Sequence, residues 1–288
     1  MSDQSTSKLS HILPQRYQHG FANNEGCVWV YDRRRGAIAC EHPKRVAAER
    51  DFYGAEIEKF LAEEIEGPFW EVLDRLERLE PLRKTDRLHI SLFVAFFVTR
   101  VPGFRESIVK PFSDAMLDCD LQKDLDKLGD FIEQTGSGLF VPKVPKNQVL
   151  RQMMRLGLEI TMDFMKLDTH LIYSPPDEPF VTTDNPFVLV PIVDDNEAPT
   201  IRAKSFLKLL PMSARLVVSF GLPGNTIWTS TMKSSQTRRH NLSIVAAARD
   251  IALAKSREQL EVLLPAFPKE TPRGPGKFPT VVTILPGS

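Results

Sequence analysis

The stretch TDRLHISLFVAFFVTR, residues 85–100, contains the longest apolar run of the chain, Leu88 to Val98. At about eleven residues this run is too short to cross a bilayer, which takes roughly 20 apolar residues. Thr85 and Asp86 are residue types that begin helices, and the Val-Pro-Gly after Arg100 ends one. We therefore predict a helix here that is buried in the core of a globular protein.

Working outward, apolar residues recur every three or four positions in the stretches on either side of this helix. Asp51 to Leu79 carries one such stripe, interrupted at Gly67-Pro68, where we expect a kink or a break. Gln148 to Lys166 carries another stripe. These patterns predict a helical half of the molecule.

Beyond residue 170 the pattern changes to short β-prone segments between turn residues, followed by a last predicted helix from Arg238 to Ala254. Near the N-terminus, Cys27 to Asp32 and Ala37 to Cys40 are predicted to form a hairpin. The predicted fold is α+β, with a short N-terminal β segment and a helical half packed on a C-terminal antiparallel β-rich half with a closing helix. We expect a disordered segment at 1–10, one domain at 11–265 (helical at 51–168, β-rich at 170–255), and a Pro/Gly-rich tail at 266–288.

The charge balance limits the classes of partner. Lys plus Arg and Asp plus Glu both total 37, which argues against a protein that coats nucleic-acid backbones. The three cysteines are odd in number and show no CxxC spacing, so we expect neither a disulfide framework nor a structural zinc site. Cysteines without such a framework predict a reducing, cytoplasmic location. The first ten residues are polar and unlike a signal peptide, and we predict no membrane association.

An unusual density of polar and aromatic side chains lies in the string HILPQRYQHGF, His11 to Phe21. A segment that only had to fold would not need this density, so we predict that the string forms one wall of a site. In this prediction His11 and Gln15 face inward. The anchors of the wall are Pro14, Tyr17 and Phe21.

Three further positions carry chemistry. Glu58 and Glu66 are eight residues apart, which places them within roughly 80° of each other around a helix. Arg100 ends the buried helix, where it can cap carbonyl groups or clamp a carboxylate or phosphate. Asp184 and Asn185 follow a predicted strand, at a position where turns form and where sites are often built. The alternatives of an exposed charged face, a helix cap and a turn remain open.

These motifs together resemble a family of bacterial proteins known as a domain of unknown function, DUF4238. The resemblance covers residues 11–255, and its most specific parts are the His-x-x-Pro-Gln-x-Tyr-x-x-x-Phe string and the Thr-Asp-Asn-Pro segment at 183–186. Gln18 stands where the family usually has Leu. The resemblance implies that the motifs converge in space but brings no activity with it. The implied site residues are His11, Gln15, Glu58, Arg100, Asp184 and Asn185.

Two classes of function fit this set. The first is a hydrolase of nuclease or toxin-like effector type acting on phosphodiesters, with His11 or Glu58 as general base. In it, Arg100 and Asn185 stabilise negative charge, and Asp184 orients the base or binds a divalent metal. The second is a non-catalytic module that binds a small molecule, a nucleic acid or a protein, in which the same motifs hold the N-terminal string against the β-rich half.

Overall fold

The fold is α+β, as the sequence predicts. The computed structural model describes residues 9–50, 55–83, 85–101, 104, 148–191, 206–269 and 280–281. Their strands form sheets of two, four and six strands, and a helical layer packs beside them. The predicted disorder of residues 1–8 and most of the predicted tail lie outside these ranges, whereas Leu9 and Ser10 belong to a strand.

The N-terminal part is built from short elements. Strand β1 (Leu9–His11) pairs antiparallel with β4 (Ala48–Arg50), and α1 spans Gln15–His19. The predicted hairpin is confirmed as β2 (Val28–Asp32) and β3 (Ala37–Glu41), which pair antiparallel. Its turn ends at Gly36, whose φ of +61° is a conformation that glycine adopts without strain.

A disulfide joins Cys27 and Cys40 across this hairpin, with Cα atoms 5.8 Å apart. The expectation that the cysteines form no disulfide was therefore wrong for this pair. The odd count and the missing CxxC spacing describe positions along the chain only. Strand pairing places Trp29 opposite Cys40, which brings Cys27 within bonding distance of Cys40.

The helical layer begins with α2 (Ala55–Phe60), a π-helix (Leu61–Glu66) and α3 (Gly67–Glu77). The break expected at Gly67-Pro68 takes the form of this π-helix, which ends where the Gly67 N–H donates to Ala62 O. Proline cannot donate a backbone hydrogen bond, and its ring would clash with the carbonyl group four residues earlier, so a wider turn before it relieves both problems.

Helix α4 (Asp86–Arg100) is the predicted buried helix, and nearly all its residues are buried. Helix α5 (Gln148–Phe164) packs against α4. Across the described residues, we find no helix with the length and apolar character needed to span a membrane.

The C-terminal half contains a mixed sheet where an antiparallel one was predicted. The sheet order is β10 (Ile227–Thr231), β5 (Leu167–Tyr173), β9 (Leu216–Pro223), β8 (Phe206–Pro211), β7 (Val188–Pro191) and β12 (Thr280–Val281). Strand β10 follows β9 after a tight turn but lies on the far side of β5, so β10 runs parallel to β5. Strand β12 is likewise parallel to β7.

The closing helix α6 spans Ser234–Ala246, so the prediction of a helix up to Ala254 was wrong beyond Ala246. Residues Ile251–Ala254 form β11, which lies between β2 and β6 (Thr182–Thr183) in the four-stranded sheet. A short apolar run is compatible with a buried strand as well as with a helix. Here it forms a strand because β2 and β6 lie on either side and pair with its backbone. Helix α7 (Arg257–Leu263) follows and packs beside β11.

Candidate functional site

Tyr17 is the point where three of the predicted motifs meet. Its side chain is fully buried, and its ring lies 4.6 Å from the ring of Phe97 on α4. Its hydroxyl donates to Pro211 O at 2.8 Å and lies 2.6 Å from Thr182 Oγ1, which therefore donates to it. Burial raises the pKa of Tyr17 well above its ordinary value, so the hydroxyl stays protonated. The N-terminal string, the buried helix and the segment before Asp184 are thus joined at one side chain.

Gln18 fastens the string from its other side, and sequence reasoning missed its role. The side chain is fully buried, and its Nε2 donates to Leu13 O at 2.8 Å and to Val46 O at 3.1 Å. An apolar residue here would leave those two carbonyl groups without this donor. The one signal available in the sequence was the departure from the family pattern at this position.

His11 and Gln15 hold the positions that frame the string. His11 lies in β1 opposite Ala48, and its side chain is outside the described part of the molecule. Gln15 begins α1 and is half-buried. The expected anchors Pro14, Tyr17 and Phe21 are all buried. That His11 and Gln15 face a site stays a prediction.

Arg100 forms a buried ion pair with Glu66. Its Nη1 donates to the Glu66 carboxylate, and the two side chains are only 8% and 16% exposed. A guanidinium buried at the end of α4 needs such a partner, because an unpaired buried charge is strongly destabilising. The pair joins the last turn of α4 to the end of the π-helix, which fixes where the guanidinium lies.

Glu58 lies on α2, just before this π-helix. Its side chain is half-buried, and among the described residues its Oε1 has no hydrogen-bond partner despite being buried. The ring of Phe60 lies 6.0 Å from that of Phe96, one helical turn before Arg100. Phe60, two residues after Glu58, thus packs one helical turn from Arg100, whereas Glu58 and Glu66 are eight residues, or roughly 12 Å, apart along their helical segment. Buried acceptors without a partner are rare, and each marks a place where a ligand or water can donate.

Asp184 holds the connection between α6 and β11. Its Oδ1 accepts the N–H of Arg249 at 2.8 Å, and its Oδ2 accepts the N–H of Asp250 at 2.7 Å. Burial raises the pKa of Asp184 from 3.8 to about 6, although these hydrogen bonds oppose the shift. Asn185 works on the same connection, since its Nδ2 donates to Ala247 O at 3.0 Å.

Side-chain contacts place three of the six predicted residues. Asp184 and Asn185 contact the segment 247–251 and their own turn, and Arg100 contacts Glu66. The N-terminal string, α4 and the strand before Asp184 meet through Phe97, Tyr17 and Thr182. That all six residues share one site stays a prediction.

Outside the six predicted residues, the remaining candidates are the arginines of the hairpin and possible metal ligands. Arg34 and Arg35, within the hairpin turn, form ion pairs with Asp250 at 3.3 Å and with Asp32 at 3.4 Å. Among the described residues, no three His, Cys, Asp or Glu side chains are arranged to hold a metal ion. At Asp184, each carboxylate oxygen accepts one backbone N–H group, and the residue is only 7% exposed.

An open groove of about 480 Å³ lies elsewhere, between the α3–α4 connection and the edge of the six-stranded sheet. None of the six predicted residues is among those that line it. Its lining consists of Leu76, Leu79, Glu80, Pro81, Leu82, Leu171, Tyr173, Thr229, Ser230 and Thr231.

Comparison with known proteins identified one family. A family model described as protein of unknown function, DUF4238, matches residues 10–258 of this 288-residue chain. No curated protein and no solved structure matches the chain.

Proposed function

Since this chain belongs to the DUF4238 family, which is defined without an activity, we propose from its site that the protein is a bacterial hydrolase of phosphodiesters, of nuclease or toxin-like effector type. One observation carries the proposal: the buried Glu58 Oε1 has no hydrogen-bond partner among the described residues, and Phe60, two residues later, packs one helical turn from Arg100. A carboxylate and a fixed guanidinium are the groups that hydrolysis of a phosphate ester requires.

In this proposal Glu58 accepts a proton from the attacking water. The water oxygen bonds to phosphorus, the ester P–O bond breaks, and the leaving oxygen takes a proton to give an alcohol and a phosphate monoester. Arg100 stabilises the charge on the phosphoryl oxygens, and Glu66 positions Arg100 through their ion pair. His11 and Gln15 complete the site from the N-terminal string.

Asp184 and Asn185 are positioning residues in this scheme. Their side chains fix the connection at 247–251 by hydrogen bonds to its backbone. Each assay is run with and without Mg²⁺, which tests whether hydrolysis needs a divalent metal.

The test measures hydrolysis of bis(p-nitrophenyl) phosphate, single-stranded RNA and single-stranded DNA by the wild type and by Glu58→Gln. We expect the wild type to cleave at least one of these, and Glu58→Gln to lose about 10²-fold or more of that rate. Glu71→Gln is the matched control, because Glu71 is an exposed glutamate on α3. An inactive wild type, or a Glu58→Gln variant with full activity, would disprove the proposal.

A double variant separates catalysis from stability at the ion pair. Arg100→Met alone leaves Glu66 buried without its cation, so it should destabilise the fold by about 3–5 kcal/mol. Arg100→Met combined with Glu66→Leu replaces the pair with apolar groups and should recover most of that stability. We expect the double variant to fold and to remain inactive.

A second candidate function is the non-catalytic binding module, for a protein, nucleic acid or small-molecule partner. It is favoured by a specific observation, since Tyr17, Asp184 and Asn185 all bond to buried or partly buried backbone groups. Under this function, His11→Ala and Asp184→Ala should each lower the Tm by several degrees. Under the hydrolase function, His11→Ala should remove activity with little change in Tm.

Two observations favour different cellular compartments. The sequence predicts a cytoplasmic location. The Cys27–Cys40 disulfide instead favours an oxidising compartment, because cytosolic thiols are kept reduced. Thiol alkylation of the protein in its native cells, before and after reduction, distinguishes the two. Two additional alkylated cysteines after reduction would exclude a reduced cytoplasmic form.

A further inference from the structure

Among the described strands, β10 lies at one edge of the six-stranded sheet, next to β5. Residues 228–231 are exposed, and Trp228 is 57% exposed. Proteins usually protect such an edge with Lys, Pro or a bulge, because its unpaired backbone groups attract other strands. The sequence of β10, Ile-Trp-Thr-Ser-Thr, contains neither Lys nor Pro.

Hydrogen bonds at its two ends show which way the backbone of β10 points. The N–H of Thr169 donates to Thr226 O, and the N–H of Met232 donates to Tyr173 O, both at 2.9 Å. In a parallel pair, alternate residues of one strand bond to the same neighbour. The even-numbered residues therefore face β5. The N–H and C=O groups that point toward the free edge belong to Ile227, Thr229 and Thr231.

The 480 Å³ groove runs beside this edge and includes Thr229 and Thr231 in its lining. Side chains two apart on a strand share a face, so both threonines border the groove from β10. Leu82 and Tyr173 supply apolar surface. Glu80 is the charged residue in the lining, and its carboxylate lies 2.6 Å from Arg78 Nε. The charge of the groove is therefore balanced locally, which fits an uncharged side chain.

Leu79 at the rim of the groove is held in a strained conformation. Its φ is +59°, in the left-handed region that favours glycine, and its side chain is 67% exposed. Glycine at this position would preserve the end of α3, because the hydrogen bonds there are made by backbone groups. The N–H of Leu79 donates to Leu76 O, and the N–H of Glu80 donates to Arg75 O. Strain that presents an apolar side chain to solvent points to a binding role.

We propose that β10 and this groove bind an extended segment of a partner protein. The segment adds a strand to the sheet edge through the outward groups of Ile227, Thr229 and Thr231, and it places an uncharged apolar side chain in the groove. Binding by strand addition combines main-chain hydrogen bonds with pockets for alternate side chains, which are the two features found here. This surface is separate from the proposed hydrolase site and does not depend on that proposal.

The test selects peptides from a phage-displayed library of random dodecapeptides on the full-length protein. Selected peptides are then measured by fluorescence polarisation against three variants. Thr229→Pro removes an outward N–H without removing a bond to β5. Leu79→Gly removes the rim side chain without lowering the Tm. Val262→Ala is the matched control, because Val262 is also an exposed apolar residue but lies on α7.

We expect enriched peptides to share an apolar residue within a β-prone segment. Their affinity should fall at least tenfold for Thr229→Pro and at least fivefold for Leu79→Gly, with no change for Val262→Ala. The proposal is overturned by a selection without enrichment or by peptides that bind Thr229→Pro as tightly as wild type. It is also overturned if the wild type is a dimer that Thr229→Pro converts to a monomer, since a second copy would then occupy the edge.

Discussion

The hydroxyl groups of Tyr17 and Thr182 lie 2.6 Å apart, although 165 residues separate them in the chain. Both side chains are fully buried, so water does not compete for this hydrogen bond. The contact closes the N-terminal string against the strand that leads into Asp184. It also explains why the string can be held firmly although α1 is only five residues long.

Tyr17→Phe should lower the free energy of unfolding by about 1–3 kcal/mol, because it leaves the buried Pro211 carbonyl without its donor. Urea denaturation measures the change. Tyr31→Phe is the control, since no hydrogen bond of the Tyr31 hydroxyl is found within the described residues, and it should stay within about 0.5 kcal/mol of wild type. Equal effects of the two substitutions would contradict the assigned role of Tyr17.

Asp184 should make stability depend on pH in an unusual direction. Since its pKa rises from 3.8 to about 6 on folding, the folded state binds more protons than the unfolded state between these values. Its contribution to stability is therefore lost as the pH rises from about 4 to about 6. Relative to Asp184→Asn, the free energy of unfolding of the wild type should fall by roughly 3 kcal/mol across this window.

Urea unfolding of both proteins at several pH values measures this difference. His240, whose pKa burial lowers to about 4, titrates over an overlapping range. It is present in both proteins, so its contribution cancels in the comparison if the two sites are independent. Parallel pH profiles for wild type and Asp184→Asn would show that Asp184 does not titrate as described.

Leu79→Gly should raise the free energy of unfolding by about 1 kcal/mol, because glycine adopts a positive φ without steric cost. Gly36→Ala is the reciprocal substitution. A Cβ at Gly36 would meet no atom within 4 Å, so its cost is conformational alone, and we expect a loss of about 1 kcal/mol. Thermal unfolding of the two variants should shift in opposite directions.

Arg87→Lys should destabilise the fold by about 2–3 kcal/mol, since hydrogen bonds made by charged groups are stronger than neutral ones. Arg87 Nη2 donates to Met165 O at 2.9 Å, Leu167 O at 2.5 Å and Gly224 O at 3.1 Å, which ties α4 to one end of the β5–β9 pair, where Leu167 lies opposite Pro223. A lysine side chain is one atom shorter, so its ammonium would not reach the position of Nη2 among these carbonyl groups. Arg83→Lys, at an exposed position, is the control and should leave the melting curve unchanged.

Removing the Cys27–Cys40 disulfide should cost about 2–3 kcal/mol, because the bridge closes a loop of 13 residues in the unfolded chain. The measurement compares urea denaturation of the wild type with that of a double Cys27→Ser, Cys40→Ser variant. A reductant should lower the stability of the wild type and leave that of the double variant unchanged. An insensitive wild type would mean that the bridge contributes nothing.

For much of the candidate site, the sequence identified motifs but not the contacts that their side chains make. The string at 11–21 and the segment at 183–186 were recognisable, and their meeting at Tyr17 agrees with the expected convergence. The sequence did not distinguish Glu58 from Glu66 as the partner of Arg100, because both flank the same stripe. It also could not show that both oxygens of Asp184 accept backbone N–H groups, since Arg249 and Asp250 are 65 and 66 residues away.

The sequence by itself determined the elements whose signals are local. Helix α4 is apolar on nearly all sides and can only be buried, and the β2–β3 hairpin follows from two β-prone runs around an Arg-Gly turn. Tertiary structure alone decided that Ile251–Ala254 form a strand, that Cys27 and Cys40 are bonded, and that β10 is an exposed edge strand parallel to β5. The physical reason is that each of these depends on a packing partner that no local pattern names: β2 and β6 for residues 251–254, Cys40 for Cys27, and β5 for β10.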